Sequence, residues 1–374
     1  MRRWNPTGMS PAPTEGAALP DPGSGPFPAA AERRRAGGFA LFAHGFRPFL
    51  LPAGTWAVLG IGLWVAALAG VPLPEGPLSA ARWHAHEMLA GFVGAALGGF
   101  LLTAVPNWTG RRGYAGPPLL GLVALYLAGR LVLLPGSPLP AAWAAPVALA
   151  FVPALVALPL PALLRARNAR LFGPPTLVLA FWAGDLLMLG EAAGWWAAET
   201  WRVGQLLAAD AALALVGLIG GRIVPSFTLN ALRRAGQPAE LRPPLFPGLD
   251  QAAVVSLLAV GVVDLVLPDG VAAGVVAAVA ATLAALRLSR WHGLRTLGQP
   301  ILWVLHLAYA FVPLALATKA AWLLAGVPWA AHWLHLQVAG ALALMVMAVM
   351  TRAALGHTGR EIVAARPRSR PTCC

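Results

Sequence analysis

The sequence predicts an all-α fold: a polytopic transmembrane helical bundle of about ten helices with both termini on the cytoplasmic side. Three observations lead there. The chain has 374 residues, of which 58% are hydrophobic and only 11% charged, with a mean hydropathy of +0.70. That leaves too few polar residues to cover a water-soluble globule. The apolar residues fall into ten runs long enough to span a bilayer, and the arginines alternate between the gaps that separate them. A formal net charge of +13 would suggest nucleic acid in a soluble protein. Here the arginines lie in short gaps between apolar runs, as the positive-inside rule requires, so a nucleic-acid partner is excluded and a lipid bilayer is the expected surroundings.

Crossing the hydrocarbon takes about 20 apolar residues in a helix, which satisfies its own backbone where no water can. The predicted spans are 48–71, 83–107, 115–134, 141–164, 173–194, 201–221, 249–267, 270–288, 300–325 and 331–353, with non-helical backbone confined to loops. One set of gaps carries Arg33 to Arg35 and Arg47, then Arg111 and Arg112, then Arg165, Arg167 and Arg170. It continues with Arg233, Arg234 and Arg242, then Arg287, Arg290 and Arg295, and ends with Arg360, Arg366, Arg368 and Arg370. The opposite set holds Glu75 and Arg82, Pro138 and Pro140, Glu191 and Glu199, Asp269, and the turn at Val327 and Pro328. The arginine-rich side is the cytoplasmic one.

Residues 1–38, rich in Pro, Gly and Ala and without a signal-peptide core, are expected to form a disordered cytoplasmic tail. Residues 39–360 form the bundle and 361–374 a short basic tail. The arginine, alanine and proline bias, with Lys319 the one lysine, points to a GC-rich bacterial genome, and so to the bacterial inner (cytoplasmic) membrane. The two cysteines, Cys373 and Cys374, are adjacent at the C-terminus and support neither a disulfide framework nor a thiolate site. Any metal must rely on imidazole, carboxylate or thioether.

Eight histidines are present. His84 and His86, in Trp83-His84-Ala85-His86-Glu87-Met88, sit at the outer end of the second span. Imidazole is a common ligand of copper, zinc and haem iron. Two residues apart on a helix means about 200° of rotation, so both reach one metal only where the helix is unwound. Otherwise they serve different partners. The alternative is that they anchor the helix among headgroups, as interfacial His and Trp do. His332 and His335 reach the same depth on the tenth span and share a face. His335 is about a turn deeper and is the preferred ligand. On the opposite side His306 lies roughly 9 Å into the ninth span at about 1.5 Å per residue, with Tyr309 one turn on. His357 follows the tenth span and His44 precedes the first, whereas His292 reads as a solvated loop residue. An outer and an inner group of histidines suits two metal centres.

Asp185 and Asp210 fall near the middle of the fifth and sixth spans, where ionisable groups are costly and face the bundle interior. They can share or relay protons, neutralise a cation, or be protonated and bonded across helices. Arg222, in Gly220-Gly221-Arg222-Ile223-Val224-Pro225, either snorkels or clamps a carboxylate such as a haem propionate. Met345, Met347 and Met350 are read as packing, because their spacing does not put all three on one face.

Six strings in order from about residue 40 to 360 resemble the NnrS family. They are Gly45-Phe46-Arg47-Pro48-Phe49-Leu50, Trp83 to Met88, and Gly99-Phe100-Leu101-Leu102-Thr103-Ala104-Val105-Pro106-Asn107-Trp108-Thr109-Gly110. The others are Gly220 to Pro225, Leu305-His306-Leu307-Ala308-Tyr309, and Ala348-Val349-Met350-Thr351-Arg352 through Gly359-Arg360. The resemblance implies a haem- and copper-containing membrane protein, with nitric oxide as ligand, that protects against nitrosative stress and is associated with denitrification. It implies His84, His86, His306, His335 and His357 as metal or cofactor ligands, with Arg222 and Tyr309 as further cofactor contacts. His44 and His332 stand outside the family pattern. Ser226 and Leu336-Gln337 depart from it mildly, and the family resembles a bundle of about twelve helices where ten are legible here. Turnover of nitric oxide is left open, since no catalytic set beyond Asp185 and Asp210 is legible. The competing function is a transporter of a metal ion, haem or a small solute working through midplane carboxylates.

Overall fold

A computed structural model of the chain describes residues 40–356. The two tails and His357 lie outside the described residues. Ten helices follow in order: α1 (Arg47–Leu68), α2 (Ala80–Thr109), α3 (Pro117–Val132), α4 (Ala141–Ala166), α5 (Ala169–Ala192), α6 (Trp201–Arg234), α7 (Leu249–Val266), α8 (Val271–Leu288), α9 (Pro300–Ala325) and α10 (Pro328–Gly356). The described residues contain no strand. Nine of these helices are long and apolar enough to cross a membrane. The exception is α3, 16 residues long. Gly116, at φ +71°, and the pair Pro117-Pro118 fix where it begins, because a left-handed glycine ends the preceding loop and proline fits the first turn.

The fourth span is also irregular. It is a chain of short helices, Ala141–Leu149, Phe151–Ala157 and Leu160–Ala166, punctuated by Pro146, Pro153, Pro159 and Pro161. Each proline lacks the N–H that would continue the ladder. Where helices must meet closely, small residues permit it: a Cβ on Gly184 of α5 would lie 2.5 Å from the Gly204 carbonyl oxygen of α6. Backbone-on-backbone contact of this kind is how helices associate in lipid, where apolar burial gives no drive.

Long helix α2 runs through the bundle and buries Leu89, Phe92, Val93, Leu101, Leu102 and Val105. By contrast α1 packs one side against α2 and leaves Leu51, Val58, Leu59, Ile61 and Val65 exposed, as a lipid-facing helix does. The main departure from the sequence expectation lies inside the helices. Three of them contain a π segment: Glu87–Val93 in α2, Val216–Gly220 in α6 and Leu336–Ala343 in α10. The widened turns of α2 and α10 touch each other. Such turns release backbone groups and re-aim side chains, and they recur at functional sites.

Candidate functional site

The α2 backbone is not unwound at its histidines. Ala80–His86 is regular helix and the π segment begins at Glu87, so the two imidazoles diverge. The His86 ring is fully buried between two carboxylates, with Nδ1 2.9 Å from Glu87 Oε1 and Nε2 2.8 Å from Asp185 Oδ1. Glu87 also accepts Arg130 at 2.8 Å and the Trp56 indole N–H at 2.5 Å. Carboxylates only accept, so a ring bonded to one through each nitrogen donates from both. With an imidazolium, two carboxylates and a guanidinium the quartet is neutral, which is the condition for burying charge. As placed, His86 has no nitrogen lone pair for a metal.

His84 is the opposite case. Its ring stacks on Trp64 at 4.8 Å between centroids, interacts with the Gly60 carbonyl, and leaves Nδ1 enclosed without a hydrogen-bond partner. His335 on α10 is its ionisable neighbour. His335 is exposed, and its ring lies 6.2 Å from that of His332. The end of the bundle remote from the arginines thus brings His84 and His335 together from two helices. Among the described residues no group of three or more His, Cys, Asp or Glu side chains is set to hold a metal. Two imidazoles with an added outside ligand is what this end can offer.

At the arginine-rich end His306 faces Thr228, with Nε2 2.8 Å from Oγ1. The Thr228 hydroxyl has one hydrogen and donates it to the Val224 carbonyl at 3.0 Å, so it accepts from His306 Nε2–H. A neutral ring then has an acceptor lone pair on Nδ1, and that atom is buried without a partner. This is how an outer hydrogen bond fixes a ligand tautomer. Gly293 closes over it: a Cβ there would lie 2.9 Å from Nδ1. Tyr309, fully buried, packs at 4.4 Å between centroids against Trp291 with the ring planes tilted by 60°, and accepts from Arg287 at 3.3 Å. Arg287 reaches further, donating to the Gly217 carbonyl in the π turn of α6, to the Gly221 carbonyl, whose i+4 residue Pro225 has no N–H, and to Asp250 Oδ1 at 2.9 Å. Sequence alone places Arg287 among the gap arginines; the structure adds that its guanidinium is buried against the α6 turn.

Between α2, α6 and α10 lies an apolar cavity of about 480 Å³. All three π segments contribute to its wall, through Val93, Val216, Ile219, Gly220 and Leu342. Its polar groups are Thr103, Asn107 and Arg222, and its only ligating atoms among lining residues are the thioethers of Met345 and Met350. Arg222 has no ion-pair partner among the described residues. A cavity of this size suits a small cofactor, and a free guanidinium at its wall suits a carboxylate. The apolar wall, the guanidinium and the two thioethers would accommodate a flat apolar group with a carboxylate, such as haem, while no histidine among the described residues lines the space. The same wall also contains two methionines that spacing alone assigns to packing.

Asp185 and Asp210 do not meet. Asp185 belongs to the His86 quartet, whereas Asp210 accepts the Gln337 amide at 2.9 Å and adjoins Asp264, itself paired with Lys319. Arg130, Asp264 and Lys319 escape sequence reading because each looks like an end-of-span charge. Their signal is that a lone lysine or aspartate inside an apolar run needs a partner.

A search of curated proteins finds no match. The model of the family described as NnrS protein matches residues 40–371, nearly the whole chain. With ten helices among the described residues, nine of them apolar and long enough to span a bilayer, and with the family model covering nearly the whole chain, this multi-pass membrane protein belongs to the NnrS family.

Proposed function

We propose that the protein binds haem and copper in the bacterial cytoplasmic membrane, takes nitric oxide as ligand, and protects against nitrosative stress in association with denitrification. The observation that carries this reading is the 480 Å³ apolar cavity with Arg222 and the Met345 and Met350 sulfurs in its wall. Met345 or Met350 would offer a sulfur to the iron of a haem bound there, and Arg222 would hold a propionate. Haem supplies an iron centre able to bind nitric oxide. His84 and His335, softly ligating and free of carboxylates, hold copper at the far end. An optical spectrum with iron and copper analysis on purified protein tests the reading. Wild type is expected to show a Soret band that Met345→Leu, Met350→Leu or Arg222→Ala weakens, and copper that His84→Ala removes. Wild-type protein free of both metals, together with unchanged nitric oxide sensitivity in a deletion strain, would overturn it. A second reading, ion-coupled transport, draws on Asp210; proton-dependent uptake into proteoliposomes that Asp210→Asn abolishes would favour it.

A further inference from the structure

Four side chains from four helices meet away from the cavity: Asp210 of α6, Asp264 of α7, Lys319 of α9 and Gln337 of α10. All are buried, with 2% or less exposure each. Lys319 Nζ pairs with Asp264 Oδ2 and lies 4.6 Å from the Trp333 ring centroid, which fixes the ammonium between a carboxylate and an aromatic face. Gln337 Nε2 donates to Asp210 Oδ1 at 2.9 Å. The two carboxyl groups adjoin where α6 packs on α7: a Cβ on Gly261, one turn before Asp264, would lie 3.4 Å from Asp210 Cβ, and each carboxyl keeps one enclosed oxygen without a donor.

Two carboxylates cannot adjoin there uncompensated. Neither carries a hydrogen for the other, and two like charges side by side in a low-dielectric interior repel strongly. The charge count agrees, since two carboxylates and one ammonium leave one negative charge uncompensated. The hydrogen-bond inventory agrees as well: Asp210 Oδ2 and Asp264 Oδ1 are both enclosed without a donor. Gln337 Oε1, fully buried on the same cluster, is a third acceptor without one. One proton between the carboxyls removes the charge and satisfies the first two oxygens, and a water bringing the proton would satisfy the third.

We propose that Asp210 and Asp264 form a proton-binding site that holds one proton and exchanges it with the arginine-poor face of the bundle. The direction of access follows from position. Asp264 is two residues from the end of α7, Lys319 six from the end of α9, and Asp210 and Gln337 nine from the starts of α6 and α10. At about 1.5 Å per residue all four lie within roughly 14 Å of that one face. The carboxylates of neighbouring α2 and α5 do not compete: Glu87 is engaged by Arg130, Asp185 by His86 and Glu191 by Arg82. Lys319 sets the stoichiometry: by neutralising one carboxylate it leaves room for a single proton.

Infrared difference spectroscopy on the purified full-length protein in lipid nanodiscs tests this directly. Wild type at neutral pH is expected to show a protonated-carboxyl C=O band that shifts in D₂O and disappears as pH rises. The band should be absent in Asp210→Asn and retained, displaced, in Asp210→Glu. Absence of the band in folded wild-type protein, or its persistence unchanged in both Asp210→Asn and Asp264→Asn, would overturn the proposal. So would its loss on adding sodium chloride but not choline chloride at constant pH, which would make the ligand a metal cation. The wild-type spectrum decides even if a variant does not fold.

Discussion

Two buried polar clusters of this bundle both set carboxyl groups against cations and differ in their charge balance. The quartet of Arg130, Glu87, His86 and Asp185 is neutral, and each charged group is bonded to another. The cluster of Asp210, Asp264 and Lys319 with Gln337 is one positive charge short and holds three acceptors without donors. Burying paired charges adds little net stability, while removing one member of a pair is costly. The closed quartet therefore behaves as a rivet joining α2, α3 and α5. The open cluster has a vacancy of charge that a proton fills.

Breaking the rivet should have the largest effect. Arg130→Met leaves buried Glu87 with only His86 and the Trp56 N–H, and a loss of about 3–5 kcal/mol is expected, read as a lowered midpoint of thermal unfolding in detergent. An unaltered midpoint would mean that the quartet is not closed as described. Next comes Arg287→Met, which strips the Gly217 and Gly221 carbonyls of their donor. About 2 kcal/mol is expected there, with weaker cofactor retention, because the α6 turn walls the cavity. Gly184→Ala should cost about 1–3 kcal/mol by forcing α5 from α6, checked by the same melting experiment. The smallest effect belongs to Asp210→Asn. An amide replaces a group that is already uncharged, so stability should change by less than about 1 kcal/mol. A loss as large as that of Arg130→Met would erase the distinction between the clusters.

Much of this fold is legible from the chain because lipid imposes a simple rule. The ten apolar runs correspond to ten helices, although the third, expected to span over 115–134, is a helix of only 16 residues. What escapes is the interior of those helices. A π turn has no local signature, since it depends on which neighbour bonds to the carbonyls of the turn; for Gly217 that neighbour is Arg287, 70 residues away. Partner identity is equally non-local. Lys319 is conspicuous as the one lysine, yet nothing in its surroundings in sequence names Asp264. At the site, spacing shows that His84 and His86 diverge, but not which of them meets the carboxylates. The Met345 and Met350 spacing argument holds for a single face and misses a cavity that wraps around the helix.

The account turns on those two histidines having different work. His84 presents a free imidazole nitrogen and His86 is a counter-ion. Metal content per protein, with the melting midpoint, measured side by side on His84→Ala and His86→Ala tests that most directly. The account predicts that His84→Ala loses copper at nearly unchanged stability, while His86→Ala is strongly destabilised and the folded fraction keeps its copper. Copper lost from folded His86→Ala and kept by His84→Ala would contradict it.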